Sequence, residues 1–314
     1  MKKVLKMIAA LIISVVIALF ALHASGQLHM IHGNYVETIF GALEPETPTP
    51  EPTPEPTVDP SGLQGALYYL NESRTAEHEY FFAETVSAET EQKIRNEVDA
   101  LSEEGNDTGF ILMDLNTGNS ITYNTDSIFY PASTIKAHYA VSLVDALPDV
   151  LTSRYGEIAN LLIYSDNDSY QDLADTFGMT YLQNWCENAG VDPEVGRDMY
   201  IDLTPMDEAL LWAQNYYWFE ENENGEELGE LFETPAVTVI HQLADEDTVT
   251  RTKAGWIAGY DPADCETGDA GIVYEKDHPY LLVVLTDLPS DFDSLFPLTE
   301  ALMNAHRELI GETE

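Results

Sequence analysis

From residue 109 onwards, the pattern of apolar and polar positions divides the chain into strands, then helices, then strands again. Residues 109–114 (GFILMD) form a short apolar run that predicts a strand. Asn116-Thr117-Gly118 has turn chemistry, and residues 120–124 predict the returning arm of a hairpin. Pro131 stands two residues ahead of Ser133, and the unbroken run beyond it predicts a helix over 133–146 with Ser133 in its first turn. Further helices are predicted at 158–164, 170–177, 181–188, 206–219 and 226–232, each bounded by Pro, Gly or Asn/Asp. Strand character returns at 248–257, 270–275 and 280–286, and 295–309 closes the chain as an amphipathic helix. The fold class this implies is α+β: an antiparallel sheet formed from both chain ends, with an all-helical lobe inserted between them.

The region before this pattern has a different character. The basic start MKKVLK precedes residues 7–24, which are apolar apart from Ser14 and His23. This reads either as a signal peptide cleaved after Ala24 or as an uncleaved membrane anchor of near-spanning length. Residues 25–60 form a linker, and in 44–60 (EPETPTPEPTPEPTVDP) proline alternates with Glu or Thr, which favours an extended polyproline stalk. The expected organisation is therefore 1–24 signal or anchor, 25–60 linker and stalk, and 61–314 a single monomeric domain held outside the cytoplasm, either anchored or secreted.

Composition narrows the partners. With 13 Lys+Arg against 56 Asp+Glu, the formal net charge is -43, which argues against nucleic acid and against an anionic membrane surface. Cys186 and Cys265 are the only cysteines, and an exported chain can either bridge them or leave two separate thiols. His138, His241 and His278 are scattered, with no metal-ligand spacing, so neither metal nor cofactor is expected. Residues 220–231 faintly echo a calcium loop but lack its opening Asp and closing Glu, and read as a solvated interhelical turn.

Three short motifs then follow in order: Ser133-Thr134-Ile135-Lys136, Ser165-Asp166-Asn167 and Lys253-Ala254-Gly255. On a helix Ser133 and Lys136 share one face, so a hydroxyl and an amine can meet. Ser165 offers a second hydroxyl for proton relay and Lys253 a further cation, as a serine nucleophile working without histidine requires. Each motif alone has an ordinary explanation: an exposed helix turn, a helix cap, a solvated strand lysine. Their order, behind a hairpin and ahead of a C-terminal strand, resembles the penicillin-recognising serine enzymes and class A β-lactamases in particular, from about Ser87 to the C-terminus.

The resemblance implies acyl-enzyme formation on Ser133 with a β-lactam or a cell-wall D-alanyl peptide. Lys136 would be the base, Ser165 the proton donor to the leaving nitrogen, and Lys253 a cation near Ser165 and the substrate carboxylate. Asn167 would bind the acyl amide while Asp166 holds the loop. Backbone N–H groups of Ser133 and Trp256, beyond Gly255, would bind the oxyanion. Two departures stand out. Ala254 replaces a hydroxyl residue of the family pattern, with Arg251 nearby as a substitute carboxylate binder. The glutamate-bearing loop that activates the deacylating water is represented only by Asp192-Pro193-Glu194-Val195. If Asp192 or Glu194 does not serve, release is slow and the domain behaves as a penicillin-binding or sensor protein.

Overall fold

The computed structural model describes residues 61–103, 105–259 and 266–312. The anchor or signal, the stalk and Cys265 lie outside these residues. Among the described residues, no helix is long and apolar enough to cross a membrane.

The chain enters through α1 (Gly62–Glu72), β1 (Tyr80–Phe82) and α2 (Ala88–Glu103), and then forms the hairpin β2 (Thr108–Asp114) and β3 (Ser120–Tyr123). The helical lobe follows: α3 (Ile135–Ala146), α4 (Asp149–Ser153), α5 (Tyr155–Ile163), α6 (Asn167–Phe177), α7 (Thr180–Ala189), α8 (Pro205–Glu221), α9 (Gly225–Gly229) and α10 (Val239–Leu243). Strands β4 (Val249–Ile257), β5 (Glu266–Glu275) and β6 (His278–Thr286) return to the sheet, and α11 (Phe296–Leu309) closes the chain. The six strands run in the order β1-β3-β2-β6-β5-β4, every neighbouring pair antiparallel. Phe110 of the N-terminal β2 sits opposite Val284 of the C-terminal β6, so the two chain ends meet in mid-sheet and the lobe is inserted between them, as the pattern predicts.

Each face of the sheet has its own core. Ile111, Met113, Ala270, Ile272, Leu281 and Val283 pack against the helical lobe. Phe110, Leu112, Leu282 and Val284 pack against Ile94 and Val98 of α2 and Leu298, Leu302 and Leu309 of α11. Strand β2 is therefore buried on both sides, which explains why it is a continuous apolar run rather than an alternation. Helix α3 is buried from Ile135 to Val144 on all sides, as expected of a helix threaded through the lobe's centre. Full burial of each large aliphatic side chain contributes about 1.5–3 kcal/mol, so this central helix is a strong anchor for whatever stands at its start.

Five elements escape the sequence pattern: α1, β1, α2 and the five-residue helices α4 and α10. Strand β1 has only three residues, and α2 has a narrow apolar stripe of Ile94, Val98 and Leu101 on an otherwise charged helix. Residues 220–231 are more structured than a solvated turn. Helix α8 runs to Glu221, and α9 and a 3-10 turn over Glu230–Phe232 bury Leu228, Leu231 and Phe232.

Candidate active site

The serine turn comes first. The helix starts two residues later than predicted, so Ser133 stands in tight turns just ahead of α3: Thr134 N donates to Pro131 O (3.0 Å), Lys136 N to Ser133 O (3.3 Å) and Ala137 N to Thr134 O (3.1 Å). Ala132 has φ +43°, a left-handed conformation costly for a residue with a Cβ, immediately before the serine. The buried helix and strand β4 hold it there. A Cβ on Gly255 would lie 2.8 Å from Ser133 N and 2.9 Å from both Pro131 O and Thr134 N, so only glycine lets β4 approach the serine backbone this closely.

Around this turn the structure gathers Lys136, Ser165, Asn167 and Lys253. Lys136 is fully buried, and its Nζ donates to Ser165 O (2.7 Å) and Asn167 Oδ1 (2.6 Å). Lys253 is 2% exposed, and its Nζ donates to Ser165 Oγ (2.9 Å) and Ala254 O (2.6 Å). Ser165 thus joins the two amines, one through its carbonyl and one through its hydroxyl, and is itself held at φ +58°. Asp166 caps α6, its Oδ2 accepting from Ser169 N at 2.7 Å, the loop-holding position expected of it.

Electrostatics follow from burial. Desolvation lowers the Lys136 amine to about 8, against a smaller opposing pull from Asp166. Lys253 is lowered to about 7, by desolvation first and by the neighbouring Lys136 charge second. A neutral lysine amine has two N–H donors and one lone pair. Lys136 spends both donors on Ser165 O and Asn167 Oδ1, so the lone pair is what remains to accept a proton. Ser133 Oγ makes no hydrogen bond within the described residues and is half-buried at the edge of this cluster.

Other expected residues lie elsewhere. Arg251 is 5% exposed, and its guanidinium is held by Glu233 (3.1 Å), Glu226 (3.2 Å) and the Tyr274 hydroxyl (3.3 Å). It ties β4 to α9 and the 3-10 turn after it, which corrects the expectation of a free carboxylate binder: its charge is already neutralised by two carboxylates. Asp192 caps the short 3-10 turn Pro193–Gly196 by accepting from Glu194 N (2.9 Å), and Glu194 pairs with Arg197 (2.8 Å) with both side chains exposed. Neither carboxylate bonds to Ser133, Lys136 or Ser165, so the expectation of a water-activating acid at these positions gives way to cap and surface roles. Trp256 is half-buried against Phe292 (ring centroids 5.5 Å), with Lys253 Nζ 5.9 Å from its ring.

Several neighbours carry no sequence signal. Tyr200 donates to Asn167 Oδ1 (3.3 Å), stacks on Tyr130 (6.1 Å) and meets Tyr170 edge-on (5.6 Å), so two loop tyrosines and one from α6 wall the Asn167 side of the cluster. Behind the serine turn, buried Glu208 accepts from Trp212 Nε1 (3.0 Å), sits 3.1 Å from His138 Nε2 and 3.4 Å from Thr134 Oγ1. Across the sheet, Asp269 Oδ2 accepts from Thr238 Oγ1, Val239 N (2.6 Å) and Ile240 N (3.0 Å), fixing α10 beneath β4. Burial pushes its carboxyl up to about 6. A capping Thr or Asp is legible in sequence only when its helix is adjacent, and Asp269 lies some thirty residues from the helix it caps. Among the described residues, no group of three or more His, Cys, Asp or Glu is placed to hold a metal ion. Cys186 is buried in α7, where desolvation raises its thiol to about 12, and its pairing with Cys265 lies outside the described residues.

Comparison with known proteins agrees with this fold. Solved structures of the same fold include a β-lactamase from Sphaerobacter thermophilus (16% identity, 71% of this chain and 98% of that one, TM-score 0.57). They also include PBP-A (18%, 69% and 96%, 0.54) and a class A β-lactamase from Mycobacterium abscessus (16%, 68% and 99%, 0.52). No curated protein matches the sequence. The model of the β-lactamase enzyme family matches residues 89–150 and 152–305, spanning most of the described domain from α2 to α11. The chain belongs to the β-lactamase enzyme family.

Proposed function

We propose that this chain is a serine acyl-transfer hydrolase that forms an acyl-enzyme at Ser133 with a β-lactam or a D-alanyl peptide and releases it slowly. The observation that carries the reading is the paired amines on Ser165, both lowered towards neutrality, with the Lys136 lone pair left over beside the serine turn. Neutral Lys136 takes the Ser133 Oγ proton as the oxygen bonds the substrate carbonyl carbon. The carbon–nitrogen bond then breaks as the nitrogen takes the Ser165 hydroxyl proton, which is replaced by the proton Lys136 took from Ser133, while Lys253 holds the Ser165 Oγ through the hydrogen bond it donates. Asn167 Oδ1 is occupied by Lys136 and Tyr200, leaving its Nδ2 to donate to the substrate's acyl amide oxygen. The N–H of Ser133 and that of Trp256 on the edge strand β4 are the proposed oxyanion donors.

Slow release is supported by where the acids are. Asp192 and Glu194 are engaged elsewhere, and the group that meets Asn167 from the intervening loop is the Tyr200 phenol, whose proton burial holds up at about 12. A phenol so held is a poor base for water at neutral pH. A mutant of PBP-A has been captured as an acyl-enzyme with penicillin G, the outcome proposed here. The apolar N-terminal segment supports a site outside the cytoplasm, anchored or secreted.

The test is intact-mass analysis of the protein with penicillin G over time, beside Ser133→Ala. A long-lived adduct absent from the variant is expected. A transient adduct with rapid lactam consumption would make the protein an efficient β-lactamase, and an unmodified mass would refute the acyl-enzyme reading.

A further inference from the structure

Behind the serine turn, side chains from α7, α8 and α3 form a buried chain of hydrogen bonds whose donors fix where its protons sit. Trp185 Nε1 can only donate, so Asn215 Oδ1 accepts from it (3.0 Å) and the Asn215 amide nitrogen donates to His138 Nδ1 (2.9 Å). His138 is therefore neutral, with its proton on Nε2, and donates to Glu208 Oε1 (3.1 Å), which also accepts from Trp212 Nε1 (3.0 Å). The other oxygen, Oε2, lies 3.4 Å from Thr134 Oγ1, whose own proton goes to Pro131 O (2.8 Å). Thr134, His138, Glu208, Trp212 and Asn215 are all fully buried.

Among the described residues, the side chains bonded to Glu208 are thus neutral. A buried carboxylate with no cation against it is costly, and apolar side chains would fill the same space without that cost, so packing alone does not account for it. A charge at slightly longer range does. Thr134 N lies 2.9 Å from a Cβ placed on Gly255, so the turn that Glu208 touches faces β4 two residues from Lys253. Desolvation and the neighbouring Lys136 charge lower the Lys253 amine, and the charges of Asp269 and Glu208 pull it back up. On Lys136 the corresponding pull comes from Asp166. The other acid coupled to Glu208, Glu266 of β5, has no hydrogen-bond partner on either oxygen. Burial first, then the Glu208 and Asp287 charges, push its carboxyl well up, which leaves Glu208 as the charged member of that pair.

We propose that Glu208, aimed by the Trp185–Asn215–His138 relay, is a positioning residue of the serine site and acts as the buried counter-charge to its paired amines. This role rests on the reading of Lys136 and Lys253 as the amines that serve Ser133.

The test is Glu208→Gln in the full-length chain. Glutamine keeps an acceptor for His138 and Trp212 and offers its Nε2 to Thr134 Oγ1, so the charge is what it removes. Two readouts are compared with wild type: the pH titration of Lys253, by NMR of labelled lysine side chains assigned with Lys253→Ala, and the pH profile of Ser133 acylation by penicillin G. Without the counter-charge the amines lose their protons earlier, so the Lys253 titration is expected to fall by about half a pH unit. The climb in acylation moves down with it, giving a rate at about pH 6 roughly threefold above wild type and the same plateau. A purely structural Glu208 would slow acylation at every pH and leave the Lys253 titration in place, and that result overturns the proposal. So does a variant indistinguishable from wild type. Should the wild type form no adduct, the acyl-enzyme reading fails and the lysine titration alone decides the counter-charge. Should Glu208→Gln fail to fold, Glu208→Met, apolar and of similar length, carries the same expectation for Lys253.

Discussion

Lys136 and Lys253 are the residues on which the proposed chemistry turns, and their environment makes a pH prediction. Both amines lose their protons nearer neutrality than a free lysine does, at about 8 and about 7, because burial disfavours the charged form. The base form therefore grows as pH rises through this window, and two coupled amines titrate as a pair. The rate of Ser133 acylation at low penicillin concentration is expected to climb between about pH 6 and about pH 9 and then level off; a profile flat across that span would exclude a lysine base. Motif spacing made Ser133, Lys136, Ser165, Asn167 and Lys253 visible in the sequence, since each motif is three or four residues long. Arg251 shows the limit of proximity along a chain. It stands two residues before Lys253 on the same face of β4, yet one step along the strand is about 6.6 Å, enough to deliver its guanidinium to Glu226 and Glu233 instead.

At the scale of elements, the site depends on the seam between β4 and the start of α3. Gly255 is the point of closest approach, with backbone atoms of Pro131, Ser133 and Thr134 under 3 Å from any added Cβ. Backbone cannot swing aside as a side-chain tip can, so Gly255→Ala must push the strand from the serine turn. We expect a stability loss of about 1–3 kcal/mol in chemical denaturation, together with acylation at least about tenfold slower. Normal acylation with a normal unfolding midpoint would show that the seam is looser than its geometry. The longer lobe helices were legible because their apolar stretches are long and punctuated by Pro and Gly, whereas α4 and α10, of five residues each, are too short to show a period. The three N-terminal elements were not, because β1 is too short to show a period and α2 buries only one narrow stripe.

The whole molecule adds a field to this local chemistry. A formal net charge of -43 repels an anionic penicillin on approach, while the buried amines act only at short range. Salt screens the repulsion, with a Debye length of about 8–10 Å at moderate ionic strength. Raising ionic strength from about 0.01 M to about 0.15 M is therefore expected to speed the second-order acylation by penicillin G several-fold; slowing would mean that a local cationic funnel outweighs the global charge. The sequence by itself determined the α+β order of elements, the family resemblance and the candidate nucleophile with its amines, because these rest on local periodicity and on short motifs. Only the tertiary structure decided which acids stand near the serine, since that depends on residues far apart in the chain. It placed Tyr200 rather than Asp192 or Glu194 against Asn167, gave Asp269 the cap of α10, and left Gln214 Oε1 buried without a partner. Packing between elements sets such meetings, and no spacing along the chain records them.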